Sequence, residues 1–311
     1  MNTPSNAMPV SQANARATAS NEFSTTRPLY WSVQRELWEN RYLYIAPLAV
    51  AAVFLIASLI GTIHLPTQIP PLPGAVAEDY RQSILIHYNL AAGFMMAMYI
   101  LVTMFYCADA LHSERRDRSI LFWKSLPVSD LTTVLAKASI PFIILPLLTF
   151  AITLALQFMM LTLSSVVLLA SGRSPAFLWA NLPVLRMSML FLYHIVTSHA
   201  LWPAPVYCWL MLVSGWARRA AFLWAALPLL AIAGVEEMAF RTHHFASVVG
   251  ERFIGASDPM SFTPANVFPT DPMTHIIPGE FFLSLSLWIG LAIAAAFLAA
   301  AVRLRRNQGP V

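Results

Sequence analysis

Glu236 and Glu237, followed by Arg241, His243 and His244, form the one grouping in this chain whose residue types suit hydrolysis. Paired carboxylates can divide the work of a general base from that of a partner to a metal-bound or histidine-held water. The spacing also has a plain reading: Arg241 stands four residues beyond Glu237, the separation of an intrahelical ion pair, and neighbouring side chains on a helix diverge by about 100°. His194 and His199, the other histidine pair, are five apart, so on an α-helix they point to different sides and cannot clamp a metal together. Nucleotide chemistry has no place to occur. The chain lacks a G-x-x-x-x-G-K-[ST] phosphate loop, and its only lysines, Lys124 and Lys137, lie outside any glycine-rich turn.

Whatever these residues do, they are held by membrane-spanning elements. The 311 residues are 58% hydrophobic and only 11% charged, with a mean hydropathy of +0.63, which leaves too little polar surface to cover a soluble globule. A net charge of +4 and a pI near 9.3 would suit nucleic acid, but the bases sit at the ends of apolar runs and build no basic face with interleaved aromatics. The expected fold is therefore all-α, a polytopic membrane protein with six spans: Tyr42 to Ile63, Ile84 to Cys107, Thr133 to Leu163, Leu185 to Val213, Ala220 to Val235, and Phe281 to Val302. The third is long, and Pro141 and Pro146 predict a kink within it.

Residues 1–27, rich in Ser, Thr, Asn and Ala, lack the apolar core of a secretory signal and read as a disordered cytoplasmic tail, which leaves the first span to act as the targeting signal. Residues 28–41 read as an interfacial amphipathic helix. Tyr30, Val33 and Leu37 line one side, with Trp31 and Trp38 at its margins, and Ser32, Arg35, Glu36 and Glu39 take the opposite arc. An ordinary aromatic lead-in to the first span has a similar composition. Residues 42–302 form the six-span domain and 303–311 a cytoplasmic tail; the proline-broken stretch 236–280 is expected to fold over the outer mouth, with re-entrant helices.

Orientation follows from the bases. With the N-terminus cytoplasmic, the inside segments hold Arg16, Arg27, Arg35, Arg41, five bases of the 112–137 region, Arg218, Arg219, Arg303, Arg305 and Arg306. The outside segments hold only Arg81, Arg173, Arg186, Arg241 and Arg252. Both termini inside is the arrangement that the positive-inside rule favours, and an even number of spans agrees with it by placing both termini on one side. Cys107 and Cys208 then fall near cytoplasmic span ends, with no disulfide or metal signature.

The segment joining spans two and three, HSERRDRSILFWKSLPVSDLTTVLAK from His112 to Lys137, is charged and short between two apolar runs. Glu114 and Arg118 can pair along a helix, and Ile120, Trp123 and Leu126 recur as an apolar stripe. Pro127 ends that helix, and Ser129 or Asp130 can cap the next. An amphipathic surface helix and a positive-inside loop whose aromatics touch lipid fit this composition equally.

The run Glu114-Arg115-Arg116-Asp117-Arg118-Ser119, then Leu126-Pro127-Val128-Ser129 and Lys137, resembles the ABC-2 type exporter permeases over about 25 residues. Their second and third spans are joined by a segment of the form E-R-x-x-[GR]-[ST]-x to L-P-[VI]-[ST], followed by a lysine. The resemblance implies that 112–130 is a cytoplasmic coupling helix that inserts into a cleft of a separate ATP-hydrolysing subunit. Glu114, Arg115, Arg116, Asp117 and Arg118, with Phe122 and Trp123, would make the contact. Arg118 departs from the glycine common there. The resemblance further implies no catalytic site, cofactor or metal in this chain, ATP and Mg on two partner ATPase subunits, a second copy of this permease or a related one, and a bacterial inner membrane. Gln157, His194, Ser198 and His199, polar within apolar runs, are a candidate substrate path or else helix-to-helix contacts.

Glu236-Glu237-x-x-x-Arg241 also resembles the first signature of the intramembrane CAAX-type proteases. That family needs F-x-x-x-H and H-x-x-x-[ND] on later spans. Here Phe240 and His244 overlap the first motif, and His275, the only later histidine, precedes Ile276, Ile277, Pro278 and Gly279. A channel without an ATPase is a further alternative, which no charge ring or filter-like repeat in the sequence supports.

Overall fold

The computed structural model describes residues 26–62, 75–117, 128–172, 174–217, 219–254 and 278–307, and every regular element among them is helical. Six helices are long and apolar enough to cross a membrane: Tyr42–Thr62, Leu85–Arg116, Asp130–Ala170, Val184–Leu201, Ala221–Phe240 and Leu285–Asn307. The described residues make a multi-pass, all-helical membrane protein.

The first helix, α1, spans Thr26–Glu39, and α2, Tyr42–Thr62, follows after a single turn. On α2 the buried Leu43, Pro47 and Ala51 recur every four residues, so one narrow stripe faces the bundle and the rest of the surface is left for lipid. Helix α3, Ala75–Asp109, buries Tyr88, Ala91, Met95, Tyr99, Val102 and Tyr106 along a complete inner face, which makes it the central post of the core. A short α4, His112–Arg116, turns out of its end.

The third span is one rod of three parts: α5, Asp130–Ser139; a π-helical stretch, Ile140–Ile144; and α6, Leu145–Ala170. Ser129 starts it as expected, its Oγ accepting the Thr132 N–H at 3.1 Å. The kink predicted at Pro141 and Pro146 takes the form of this wider turn, in which Leu145 N–H bonds the Ile140 carbonyl five residues back. Pro146 has no N–H for the Pro141 carbonyl. The buried Tyr99 hydroxyl donates to it instead, at 2.7 Å.

After the short α7, Ala176–Asn181, the fourth span runs as α8, Val184–His194, a second π-helical stretch, Ile195–Leu201, and α9, Ala204–Trp216. The single span expected over Leu185 to Val213 is thus broken near Trp202 and Pro203. The His199 carbonyl loses its partner four residues on because Pro203 lacks an N–H, and Tyr207 Oη donates to it at 2.9 Å. The two π stretches pack against each other beside α3, with the Phe142 and Tyr207 rings 6.3 Å apart. Both disruptions are thereby gathered at one buried junction and satisfied by tyrosine hydroxyls.

Helix α10, Ala221–Phe240, is the fifth span and buries only Ala221 and Ala225. Helix α11, His244–Ile254, lies beyond it; α12, Pro278–Leu283, leads through Ser284 into the sixth span, α13, Leu285–Asn307. Helix α13 continues past Val302, where the sequence reading ended the span. Helices α9 and α13 pack side by side, and α1 packs on α5.

Candidate functional site

The charged ends of four elements converge at one end of the bundle, beside Tyr106 of α3. Glu114 in α4 is 4% exposed and Glu36 in α1 is 1% exposed, so neither carboxylate reaches bulk solvent in this chain. A buried carboxylate is costly unless cations and hydrogen bonds surround it. Lys137 of α5 supplies one cation to both, with Nζ 2.8 Å from Glu36 Oε1 and 3.2 Å from Glu114 Oε1. Arg35 supplies another, 2.8 Å from Glu36 Oε1 and 3.1 Å from Glu114 Oε1. Arg305 of α13 bonds Glu114 Oε2 and lies 3.1 Å from Asp130 Oδ1. Tyr106 Oη donates to Glu36 Oε2 at 3.0 Å. Three carboxylates and three cations are therefore matched in a compact network. For Arg35, burial alone would lower the pKa, but the hydrogen bond to Glu36 and the charges of Glu36, Glu114 and Glu39 outweigh it and raise the value.

The polar arc of α1 accordingly turns in part toward the protein. Glu36, expected on the face opposite the apolar side, is buried, whereas Tyr30, Trp31 and Trp38 remain largely exposed. Lys137 explains the turn, since an ammonium at the base of an apolar span needs an anion, and the helix that precedes the first span carries one.

Arg115 points elsewhere. Its Nη1 donates to the Gly215 carbonyl at 2.5 Å, and His112 Nδ1 lies 3.2 Å from the Ala217 carbonyl, so α4 covers the C-terminal carbonyls of α9 with positive or polar groups. Gly215 also packs closely on Leu111, where a Cβ would stand 3.3 Å from Leu111 Cδ1. Of the residues expected to contact an ATPase, Glu114 and Arg115 are buried, whereas Arg116 and Asp117 are exposed and paired with each other at 3.1 Å. Arg118, Phe122 and Trp123 lie outside the described residues, as do the Ile120, Trp123 and Leu126 stripe and Pro127.

The four candidate path residues are not all alike. Gln157 is buried, and Ser188 Oγ lies 2.8 Å from both its Oε1 and the Val184 carbonyl, which ties α6 to α8 as a helix-to-helix contact. His194 precedes the second π stretch, and Ser198 and His199 lie within it; His194 Nδ1 lies 3.0 Å from the Leu190 carbonyl. Their five-residue spacing does not send them to different sides as it would on an α-helix, because a π turn closes over five residues. Among the described residues no three His, Cys, Asp or Glu side chains are grouped to hold a metal ion.

At the other end, Glu236 accepts from the backbone N–H groups of His244 and Phe245, each at 2.8 Å, and from Thr242 Oγ1 at 2.9 Å. It is an anionic cap on α11 contributed by the helix before it. Glu237 does not pair with Arg241 as its spacing suggested. Arg241 closes α10 in the left-handed conformation, φ 50°, and the Glu237 carboxylate lies 2.7 Å from His243 Nδ1. Helix α11 is in turn clamped through Arg252, whose guanidinium stacks 4.3 Å from the Trp202 ring centroid and donates to the Ser286 carbonyl at 2.7 Å. Trp202 Nε1 donates to the Glu251 carbonyl at 2.8 Å. Burial lowers the Arg252 pKa.

Fold and site together define a multi-pass helical membrane protein whose spans are tied at one end by a buried charge network and at the other by an arginine clamp. No protein-family model, curated protein or solved structure matches the chain.

Proposed function

We propose that this chain is the membrane-spanning permease subunit of an ABC-2 type ATP-driven exporter in a bacterial inner membrane. Both termini are cytoplasmic, two ATPase subunits carry the ATP and Mg, and the second permease is a copy of this chain or a relative. The observation that carries the reading is the position of Glu114. It stands in the segment whose sequence resembles the coupling helices of that family, and its carboxylate is bonded to α1, the third span and the sixth span through Arg35, Lys137 and Arg305. A push on α4 from a partner is thereby delivered to three other elements at once, because a paired buried charge cannot shift without its counter-ions.

This geometry divides the coupling residues into two groups. Arg116 and Asp117 offer charge to a partner, and Glu114 and Arg115 pass the displacement inward. Helix α1 is an interfacial helix in this reading, with Trp31 and Trp38 in the headgroup layer. The intramembrane protease reading gains no support from the geometry, since both oxygens of Glu236 are engaged in capping α11.

Reconstitution of the chain with an ABC ATPase encoded beside it tests the proposal. Arg116→Ala with Asp117→Ala should lower permease-dependent ATP hydrolysis at least tenfold with the spans still packed. Hydrolysis unchanged by the chain or by the double substitution would overturn the proposal.

A further inference from the structure

On α9, residues 209, 212 and 216 fall on one helical stripe, and on α13 residues 300, 304 and 307 fall on another. The two helices run side by side in the same direction, and between the stripes lies an open groove of about 510 Å³ at the end that also carries the charge network. That volume is within the range of small-molecule sites. Trp209, Leu212, Trp216 and Leu304 make its walls almost wholly apolar, and Arg303 and Asn307 border it mainly through their carbon stems.

The walls are held in place by contacts outside the groove. Trp209 Nε1 donates to the Ala225 carbonyl at 3.1 Å, and its ring packs 5.5 Å from that of Phe297. Trp216 meets Trp224 edge-on at 5.3 Å. The arginine beside the groove is different. Arg303 is exposed and has no ion pair or hydrogen bond to any described residue, although Arg305, two positions on, is buried against Glu114 and Asp130. The last turns of the sixth span thus send one arginine into the network and leave another beside an apolar groove.

We infer that this groove binds an anionic phospholipid, its acyl chain along the tryptophan-lined wall and its phosphate at Arg303. Tryptophan at the headgroup depth and a basic group between spans are the features that such a lipid recognises. Charge argues against a second copy of the chain as the occupant: a two-fold contact through this groove would bring the exposed Arg303 of one copy against Arg303 of the other. The inference rests on the placement of the spans in a bilayer and is independent of the exporter reading.

The test places the full chain in phosphatidylcholine vesicles with spin-labelled phosphatidylglycerol or spin-labelled phosphatidylcholine and measures the motionally restricted fraction. One arginine at an anionic surface corresponds to about a fivefold preference. The native chain should favour phosphatidylglycerol by that factor, and Arg303→Gln should bring the two lipids to parity. Arg306→Gln makes the same charge change in the same turn but outside the groove, and should leave the preference intact. Equal restriction of both lipids by the native chain, or an equal loss in both variants, would overturn the site. Efficient disulfide cross-linking of Leu304→Cys to a second copy would replace the lipid with a protein interface and overturn it as well.

Discussion

Lys137 Nζ sits 2.8 Å from Glu36 Oε1, with 2% and 1% of the two side chains exposed, and the contact fastens the third span to a helix 101 positions earlier. Removing one partner strands the other as an uncompensated buried charge, at a cost of about 3–5 kcal/mol. Lys137→Met should therefore lower the unfolding midpoint in detergent sharply. Adding Glu36→Gln should recover part of the loss, because Arg35 and Arg305 remain to neutralise Glu114. A double variant no more stable than Lys137→Met would show that the pair is not coupled.

The π junction gives a prediction free of charge effects. Tyr99→Phe removes the donor to the Pro141 carbonyl, and Tyr207→Phe removes the donor to the His199 carbonyl, with almost no change of volume. Each leaves a buried carbonyl unsatisfied and should cost about 1–3 kcal/mol in unfolding free energy. Phenylalanine substitution at Tyr30, which is 63% exposed, is the control and should cost little.

Substitution at Gly290 should act through one contact, because the atom a new Cβ meets is the flexible end of Arg252, which can shift. A Cβ there would stand 2.8 Å from Arg252 Nη1, closer than packing allows, and Arg252 is the side chain that holds α11 to Trp202 and Ser286. Gly290→Ala should accelerate amide exchange across 244–254 by about tenfold, while the core of α3 keeps its protection. Against an Arg252→Ala background the same glycine substitution should have no further effect.

Orientation can be read with engineered thiols. Cys107 and Cys208 are both buried, so their silence toward an impermeant maleimide would report packing and not sidedness. Asp117→Cys, at the network end, should be spared in intact spheroplasts and labelled in lysed ones. Ser174→Cys, exposed between the third and fourth spans, should label in both. The reverse pattern would invert the topology derived from the arginine distribution.

Much of the scaffold was legible because hydropathy is a local quantity. Each expected span overlaps one of the six long apolar helices, the fourth only as far as Leu201, and the Ser129 cap was readable from a Ser-Asp step after Pro127. The π stretches were half legible: Pro141 and Pro146 announced a disruption, but its form depends on Tyr99, some forty residues away, being placed to satisfy Pro141. The network was not legible at all. Glu36 on an amphipathic arc has the same local pattern whether it faces water or a lysine, and its pairing with Lys137 leaves no periodic trace in the sequence. Glu237 misled in the same way, since the left-handed turn at Arg241 carries that side chain off the helical ladder on which an i, i+4 pair depends.

The order in which the ribosome makes the network's members has a consequence for biogenesis. Glu36, Glu114, Asp130 and Lys137 emerge early, and Arg305 emerges only with the sixth span. Until then the nascent bundle holds Glu114 with Lys137 and Arg35 but without the cation that bonds its second oxygen. An inserted chain stalled before the sixth span therefore carries three carboxylates, Glu36, Glu114 and Asp130, against two of their cations, Arg35 and Lys137.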